Sequence, residues 1–180
     1  MSALRGVGAV ALLAPAALVQ GSIVPRLPWP GPGEPQLAAL AVLAVALVAG
    51  ARAGAVCGFG TGLLLDLLPP ATHALGQWAF VLCLLGYLVG RLAADVVDSA
   101  LIVVAIATVG AALAPLVFHA VGLTLGDPRA DPVGALERLP SVALWTLMLA
   151  VLALPVWRRH RAEPPILLEA TTLRGPLAVR

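Results

Sequence analysis

The feature that most constrains this chain is a run of small residues inside apolar sequence. Four residues of this run are spaced four apart: Gly54, Gly58, Gly62 and Asp66. On an α-helix each such step drifts only about 40°, so all four share one face. Glycine destabilises a helix in water by about 1 kcal/mol relative to alanine, whereas in a bilayer small residues at this spacing let two backbones approach closely. The pattern therefore predicts a helix-packing seam in a membrane, ending in one carboxylate.

The composition places most of the chain in the membrane. Of its 180 residues, 61% are hydrophobic and 11% are charged, and the mean hydropathy is +1.00. A soluble domain has roughly 45–50% apolar and 25% charged residues. We therefore predict an all-α integral membrane protein with a single transmembrane domain over residues 1–161 and a short, flexible cytoplasmic tail over 162–180. The net charge of +2 does not indicate nucleic-acid binding, because the arginines cluster at the ends of apolar segments.

Six apolar stretches predict about six transmembrane helices: 6–24, 37–51, 53–68, 74–90, 99–125 and 141–157. A single helix over 37–68 would be about 48 Å long, but the hydrocarbon core is only ~30 Å thick. We therefore expect two short helices that join tightly at Arg52. For the first stretch, a retained helix is favoured over a cleaved signal peptide, because the apolar run continues beyond the candidate cleavage site at 14–16.

The remaining segments are predicted to be loops or turns: 25–36, 69–73, 91–98 and 126–140. Six spans place both termini on one side, and the positive-inside rule assigns that side to the cytoplasm. This orientation puts six arginines close to the inner surface: Arg5, Arg52, Arg91, Arg158, Arg159 and Arg161. Five residues are predicted to anchor the helices at the membrane interface: Trp29, Trp157, Arg158, Arg159 and Arg161.

Asp66 is the ionisable residue that the sequence most clearly indicates as a candidate functional residue. It falls in the last turn of its predicted helix, where a negative charge opposes the helix macrodipole. The carboxyl group must therefore be protonated, paired or solvated, and His73 and Gln77 are close enough in sequence to reach it. Two interpretations stay open: Asp66 is a polar partner for another helix or subunit, or it meets lipid headgroups at the interface.

The sequence offers no set of residues for catalysis or metal binding. No Ser/His/Asp, Cys/His or metal-spaced His/Glu arrangement can be assembled. Cys57 and Cys83 lie in apolar runs and are interpreted as small buried side chains. His119 is interpreted as a structural residue near the outer interface. We expect no enzymatic activity and no cofactor.

The chain resembles the rod shape-determining protein MreD family. Six spans in about 180 residues fit this family, as do Pro35 before the second span, the run Gly58, Gly62 and Asp66, then Gly76, and the Gly86-Tyr87 pair. The resemblance covers about residues 1–161 and implies a fold similar to the substrate-binding subunits of energy-coupling-factor transporters. It also implies a non-catalytic subunit of the bacterial cell-elongation machinery in the plasma membrane. Such a subunit acts with MreC, the actin-like MreB, the RodA glycosyltransferase and a class B penicillin-binding protein.

The resemblance and the glycine pattern together select six residues for helix packing or a partner interface: Gly54, Gly58, Gly62, Asp66, Gly76 and Gly86. The alternative function is a membrane subunit that binds a small, vitamin-type molecule for a transporter. Such a subunit should bring aromatic and polar side chains together in the outer halves of its helices. Aromatic residues make up only 4% of this chain, and few polar groups are expected there, which favours the interaction protein.

Overall fold

The computed structural model describes residues 2–69, 73–96 and 99–162, which form a bundle of helices. Six α-helices occur in this part of the chain: α1 Ser2–Ser22, α2 Leu37–Ala49, α3 Ala51–Leu67, α4 Gln77–Val96, α5 Ala100–Thr124 and α6 Pro132–Ala162. A short 3-10 turn, Val24–Arg26, follows α1. The predicted tail lies outside the described residues from 163 onward, as does Asp98.

The shortest helix, α2, forms the centre of the bundle. Its 13 residues are all alanine, leucine or valine, and seven of them are buried. A helix that is apolar on all sides is suited to burial, and α2 contacts each of the other five helices. At 1.5 Å per residue it is about 20 Å long, which is too short to cross a bilayer alone. The end of the segment before α2 is itself buried, at Gly33, Pro35 and Gln36.

The break between α2 and α3 confirms the expectation of two short helices, but it lies at Gly50 and not at Arg52. Gly50 has a φ of 84°, a left-handed conformation that glycine adopts without steric cost. The chain reverses direction at Gly50. The reversal brings Gly54 against Ala46, so that a methyl group added at Gly54 would lie 2.6 Å from the Cβ atom of Ala46. Arg52 is an exposed residue in the first turn of α3.

Two helices are longer than expected. The prediction of a loop over 126–140 is wrong from Pro132 onward, where α6 already begins. Asp131 precedes Pro132, and its Oδ1 atom accepts a hydrogen bond from the Gly134 N–H at 2.8 Å. This is the geometry of an N-cap followed by a proline in the first turn. Likewise α4 continues to Val96, through residues that were expected to form a polar turn.

The outer surface of the bundle is apolar. Large apolar side chains point outward from several helices, among them Val56, Leu101 and Leu152, which are 73%, 82% and 68% exposed. Within the part of the chain that the structure describes, two segments are long and apolar enough to cross a membrane, Leu101–Thr124 and Pro132–Ala153. Leu37–Ala49 and Gln77–Leu92 are shorter apolar helices. The count of six spans stays a prediction.

Candidate functional site

The glycines of α3 lie directly against the backbone of α4. Helices α3 and α4 are antiparallel neighbours and make the most extensive helix–helix contact in the described part of the chain. A methyl group at Gly62 would lie 2.5 Å from the Cα atom of Ala79, and one at Gly58 would lie 2.6 Å from the carbonyl carbon of Leu82. These neighbours are backbone atoms that cannot rotate away, so only glycine fits this close approach.

The close approach continues along the full length of the pair, and we call it the α3–α4 seam. Gly54 faces Gly86, where a methyl group on Gly54 would lie 2.9 Å from the carbonyl carbon of Gly86. One turn further, a methyl group on Gly90 would lie 2.5 Å from the Cα atom of Ala51. The contacts therefore advance in steps of three or four residues, about one helical turn, on both helices. Gly60 is different, because no atom beyond the adjacent backbone of α3 lies within 4 Å of where its methyl group would be.

Asp66 closes the seam at the end where α4 begins. Its Oδ1 atom accepts hydrogen bonds from the Nε2 atom of His73 at 2.9 Å and from the Trp78 N–H at 3.1 Å. Its Oδ2 atom accepts from the N–H groups of Gly76 at 3.0 Å and Ala79 at 3.1 Å. Asp66 is 2% exposed. The structure thus buries the Asp66 carboxylate inside the bundle, against the start of α4.

The position of Asp66 compensates for its unfavourable place at the C-terminal end of α3. The first N–H groups of a helix lack intrahelical acceptors and carry a partial positive charge. Asp66 accepts hydrogen bonds from three such groups around the start of α4. Its side chain therefore caps the N-terminus of α4, although Asp66 lies eleven residues before that helix begins. Gly76 adopts a φ of 91° at this point, a conformation that disfavours any residue with a Cβ atom.

An aromatic cluster extends the same end of the bundle to α5. The Trp78 ring stacks on Phe118 with a centroid separation of 4.4 Å. Phe118 also makes edge-on contacts with His73 at 5.1 Å and His119 at 5.6 Å. Gln77 was expected within reach of Asp66, but its Nε2 atom donates to the Phe118 carbonyl oxygen at 2.8 Å. The cap of α4 is thereby connected to α5.

The segment before α2 packs against α6. The Trp29 ring lies 5.3 Å from that of Trp145, and its Nε1 atom donates to the Val24 carbonyl oxygen at 2.8 Å. The Gln36 N–H donates to the Thr146 Oγ1 atom at 3.2 Å. Trp29 is thus a packing residue of this segment, and its role as a membrane anchor stays a prediction. The other four predicted anchors lie late in α6, where the structure describes no side chains: Trp157, Arg158, Arg159 and Arg161.

Sequence reasoning missed several polar residues that position α2. The Gln20 Oε1 atom accepts a hydrogen bond from the Leu37 N–H at 2.6 Å, which satisfies a donor at the start of α2. Gln20, Gln36 and Thr146 are all buried. A lone amide or hydroxyl group in an apolar run is costly in a membrane unless it is bonded. That rule would have singled out Gln20 and Thr146.

No cluster of three or more His, Cys, Asp or Glu residues that could hold a metal ion occurs in the described parts of the chain. Glu34 is half-buried in the segment before α2, and burial raises the pKa of its carboxyl group above the ordinary value.

An all-helical bundle with an apolar exterior, in which the buried Gln20, Asp66 and Thr146 side chains are hydrogen-bonded within the chain, is that of a helical membrane protein. The model of the family described as rod shape-determining protein MreD matches residues 13–158. This match covers most of the chain, and the protein therefore belongs to the MreD family, as its resemblance implied. Neither a curated protein nor a solved structure matches the chain, so the likeness to energy-coupling-factor subunits stays a prediction.

Proposed function

We propose that this protein is a non-catalytic membrane subunit of the cell-elongation complex, which regulates cell shape and lateral peptidoglycan synthesis through protein contacts. The observation that carries this proposal is the family match over residues 13–158, because that family determines rod shape. The proposed partners are MreC, MreB, RodA and a class B penicillin-binding protein. The proposed location is the bacterial plasma membrane.

The α3–α4 seam supports a structural role in this function. Its glycines face the α4 backbone, and Asp66 makes its four hydrogen bonds within the chain. A partner therefore has no direct access to this carboxylate. We propose that Gly54, Gly58, Gly62 and Gly86 fix the spacing of the two helices while Asp66 and Gly76 fix their ends. The outward faces of the pair then present a defined surface to a partner.

A test of the proposed function is the recovery of partners in mild detergent. The full-length chain should co-purify with a protein of the MreC type from a rod-shaped host. Gly58→Ile should lower this recovery per amount of chain in the membrane, because a branched side chain must separate α3 from α4. Gly60→Ile is the matched control, since its side chain enters open space. Failure of the unmodified chain to recover such a partner would contradict the proposal.

The proposed topology has six spans, with both termini and residues 162–180 in the cytoplasm. Cys57 and Cys83 would be replaced, and single cysteines would be placed at Ser2, Ala130 or Ala178. Only the cysteine at Ala130 should react with an impermeant thiol reagent in intact cells. Labelling at Ala178 would overturn the orientation.

A further inference from the structure

Two adjoining cavities lie beneath the proline-rich segment that precedes α2. The first has a volume of about 530 Å³ and the second about 510 Å³. Four residues line both cavities: Gln20, Pro25, Glu34 and Trp78. The second cavity, which we call the α1–α3 cavity, lies between the C-terminal ends of α1 and α3. Its volume is within the roughly 300–1,000 Å³ that is typical of small-ligand sites.

Glu34 brings a carboxylate without a partner into the α1–α3 cavity. Among the described residues, none donates a hydrogen bond to this carboxylate and none forms an ion pair with it. The side chain is half-buried, and the loss of hydration raises its pKa. A half-buried carboxylate of this kind is stabilised by any cation or donor that enters the cavity.

Arg26 brings the opposite charge to the same cavity. It is exposed, and the structure contains no ion pair between Arg26 and Glu34 within 4.0 Å. Two opposite charges that line one cavity without pairing can each bind one end of a ligand that carries both signs. Arginine is well suited to a phosphate group, because its planar guanidinium donates parallel hydrogen bonds.

The rest of the lining favours a cation on the Glu34 side and an apolar group beside it. The C-terminal turns of α1 and α3 end here, and the last carbonyl groups of a helix carry a partial negative charge. The face of an aromatic ring such as Trp78 attracts an ammonium group. Leu65 and Leu68 supply apolar side chains to the lining.

We propose that the α1–α3 cavity binds an ammonium–phosphate zwitterion, with the ammonium at Glu34 and the phosphate at Arg26. The headgroup of phosphatidylethanolamine has this chemistry, and Leu65 and Leu68 would lie beside its glycerol and acyl parts. A soluble phosphoethanolamine compound is the other source of the same group. This site is independent of the partner contacts proposed above.

The test is lipid retention by the full-length protein, measured by native mass spectrometry. Detergent-purified protein is mixed with equal amounts of phosphatidylethanolamine and phosphatidylglycerol, which share the phosphate but differ in the ammonium group. One charge-assisted hydrogen bond corresponds to roughly tenfold in affinity. We expect about tenfold greater retention of phosphatidylethanolamine. Glu34→Gln should remove the difference between the lipids, and Arg26→Gln should lower the retention of both.

Two variants at exposed positions outside both cavities, Glu137→Gln and Arg52→Gln, are the matched controls and should bind as the unmodified protein does. Equal retention of the two lipids by the unmodified protein would overturn the proposal, and so would an undiminished difference in Glu34→Gln. Competition with soluble glycerophosphoethanolamine separates the sources. Displacement at concentrations equal to the lipid assigns the site to the soluble group, whereas resistance assigns it to the lipid.

Discussion

The α3–α4 seam makes a quantitative prediction for Gly58→Ala. The added methyl group would lie 2.6 Å from the carbonyl carbon of Leu82 and 2.9 Å from the Cys83 nitrogen. Ordinary contacts between such atoms are about 3.5–4.0 Å, so the helices must separate locally by about 1 Å. Overpacking of this kind typically costs 1–3 kcal/mol. Where the two helices move apart beside the new methyl group, a gap of about 0.5–1 Å opens between neighbouring side chains. Each van der Waals contact across this gap loses about a quarter to a half of its energy.

Gly60→Ala is the matched control, because it makes the same chemical change on the same helix. Its methyl group meets no atom within 4 Å beyond the adjacent backbone of α3, and alanine favours a helix over glycine by up to about 1 kcal/mol in water. Gly60→Ala should therefore be neutral or stabilising. The two variants should differ by about 2 kcal/mol or more in unfolding free energy, with Gly58→Ala the less stable.

Thermal unfolding in detergent, followed by tryptophan fluorescence, measures this difference. For a chain of this size, 1 kcal/mol corresponds to about 2–4 °C in Tm. Gly58→Ala should therefore melt about 4–8 °C below Gly60→Ala. Equal melting temperatures would refute the reasoning, because they would mean that the α4 backbone tolerates a methyl group at Gly58.

Three further predictions concern the ends of the bundle. Asp66→Asn replaces one carboxylate oxygen by an NH₂ group, which leaves two of the four donors without an acceptor. Each unsatisfied donor costs about 1–3 kcal/mol, so Asp66→Asn should lower Tm more than Gly58→Ala does. Gly76→Ala should lower Tm, because a left-handed conformation costs residues other than glycine about 1–2 kcal/mol, although the new methyl group has open space around it. A Tm equal to that of Gly60→Ala would contradict the conformation at Gly76. The raised pKa of Glu34 means that the folded state binds the proton more tightly than the unfolded state does, so the stability of the lipid-free protein should fall as the pH rises past the ordinary value of 4.5. Glu34→Gln should lack this fall, and equal pH profiles in chemical denaturation would argue against the burial of the carboxylate.

The sequence predicts the helices of the seam better than it predicts what they contact. The four-residue spacing from Gly54 to Asp66 is a local pattern, so the shared face of α3 follows from helix geometry alone. The register against α4 depends on both helices at once. The sequence therefore did not reveal that Gly58 meets Leu82 or that Asp66 caps α4 from eleven residues upstream.

The prediction of a loop over 126–140 failed for a different reason, which the start of α6 shows. Charged residues between 126 and 140 indicated a solvated loop, but Asp131 followed by Pro132 is a local helix-start signal that outweighs their polarity. The cavities beneath the segment before α2 had no sequence signal of this kind. The lining of the α1–α3 cavity comes from α1, α3, the segment before α2, His73 and Trp78, and only the tertiary structure brings Arg26 and Glu34 to this cavity.

The most direct test of the central claim is the shape of cells from which this protein has been depleted. In a rod-shaped host, the length-to-width ratio of single cells should fall toward that of a sphere, and the unmodified chain should restore it. Gly60→Ile should also restore rods, whereas Gly58→Ile should not. Cells that keep their rod shape after complete depletion would contradict the assignment of this protein to shape determination.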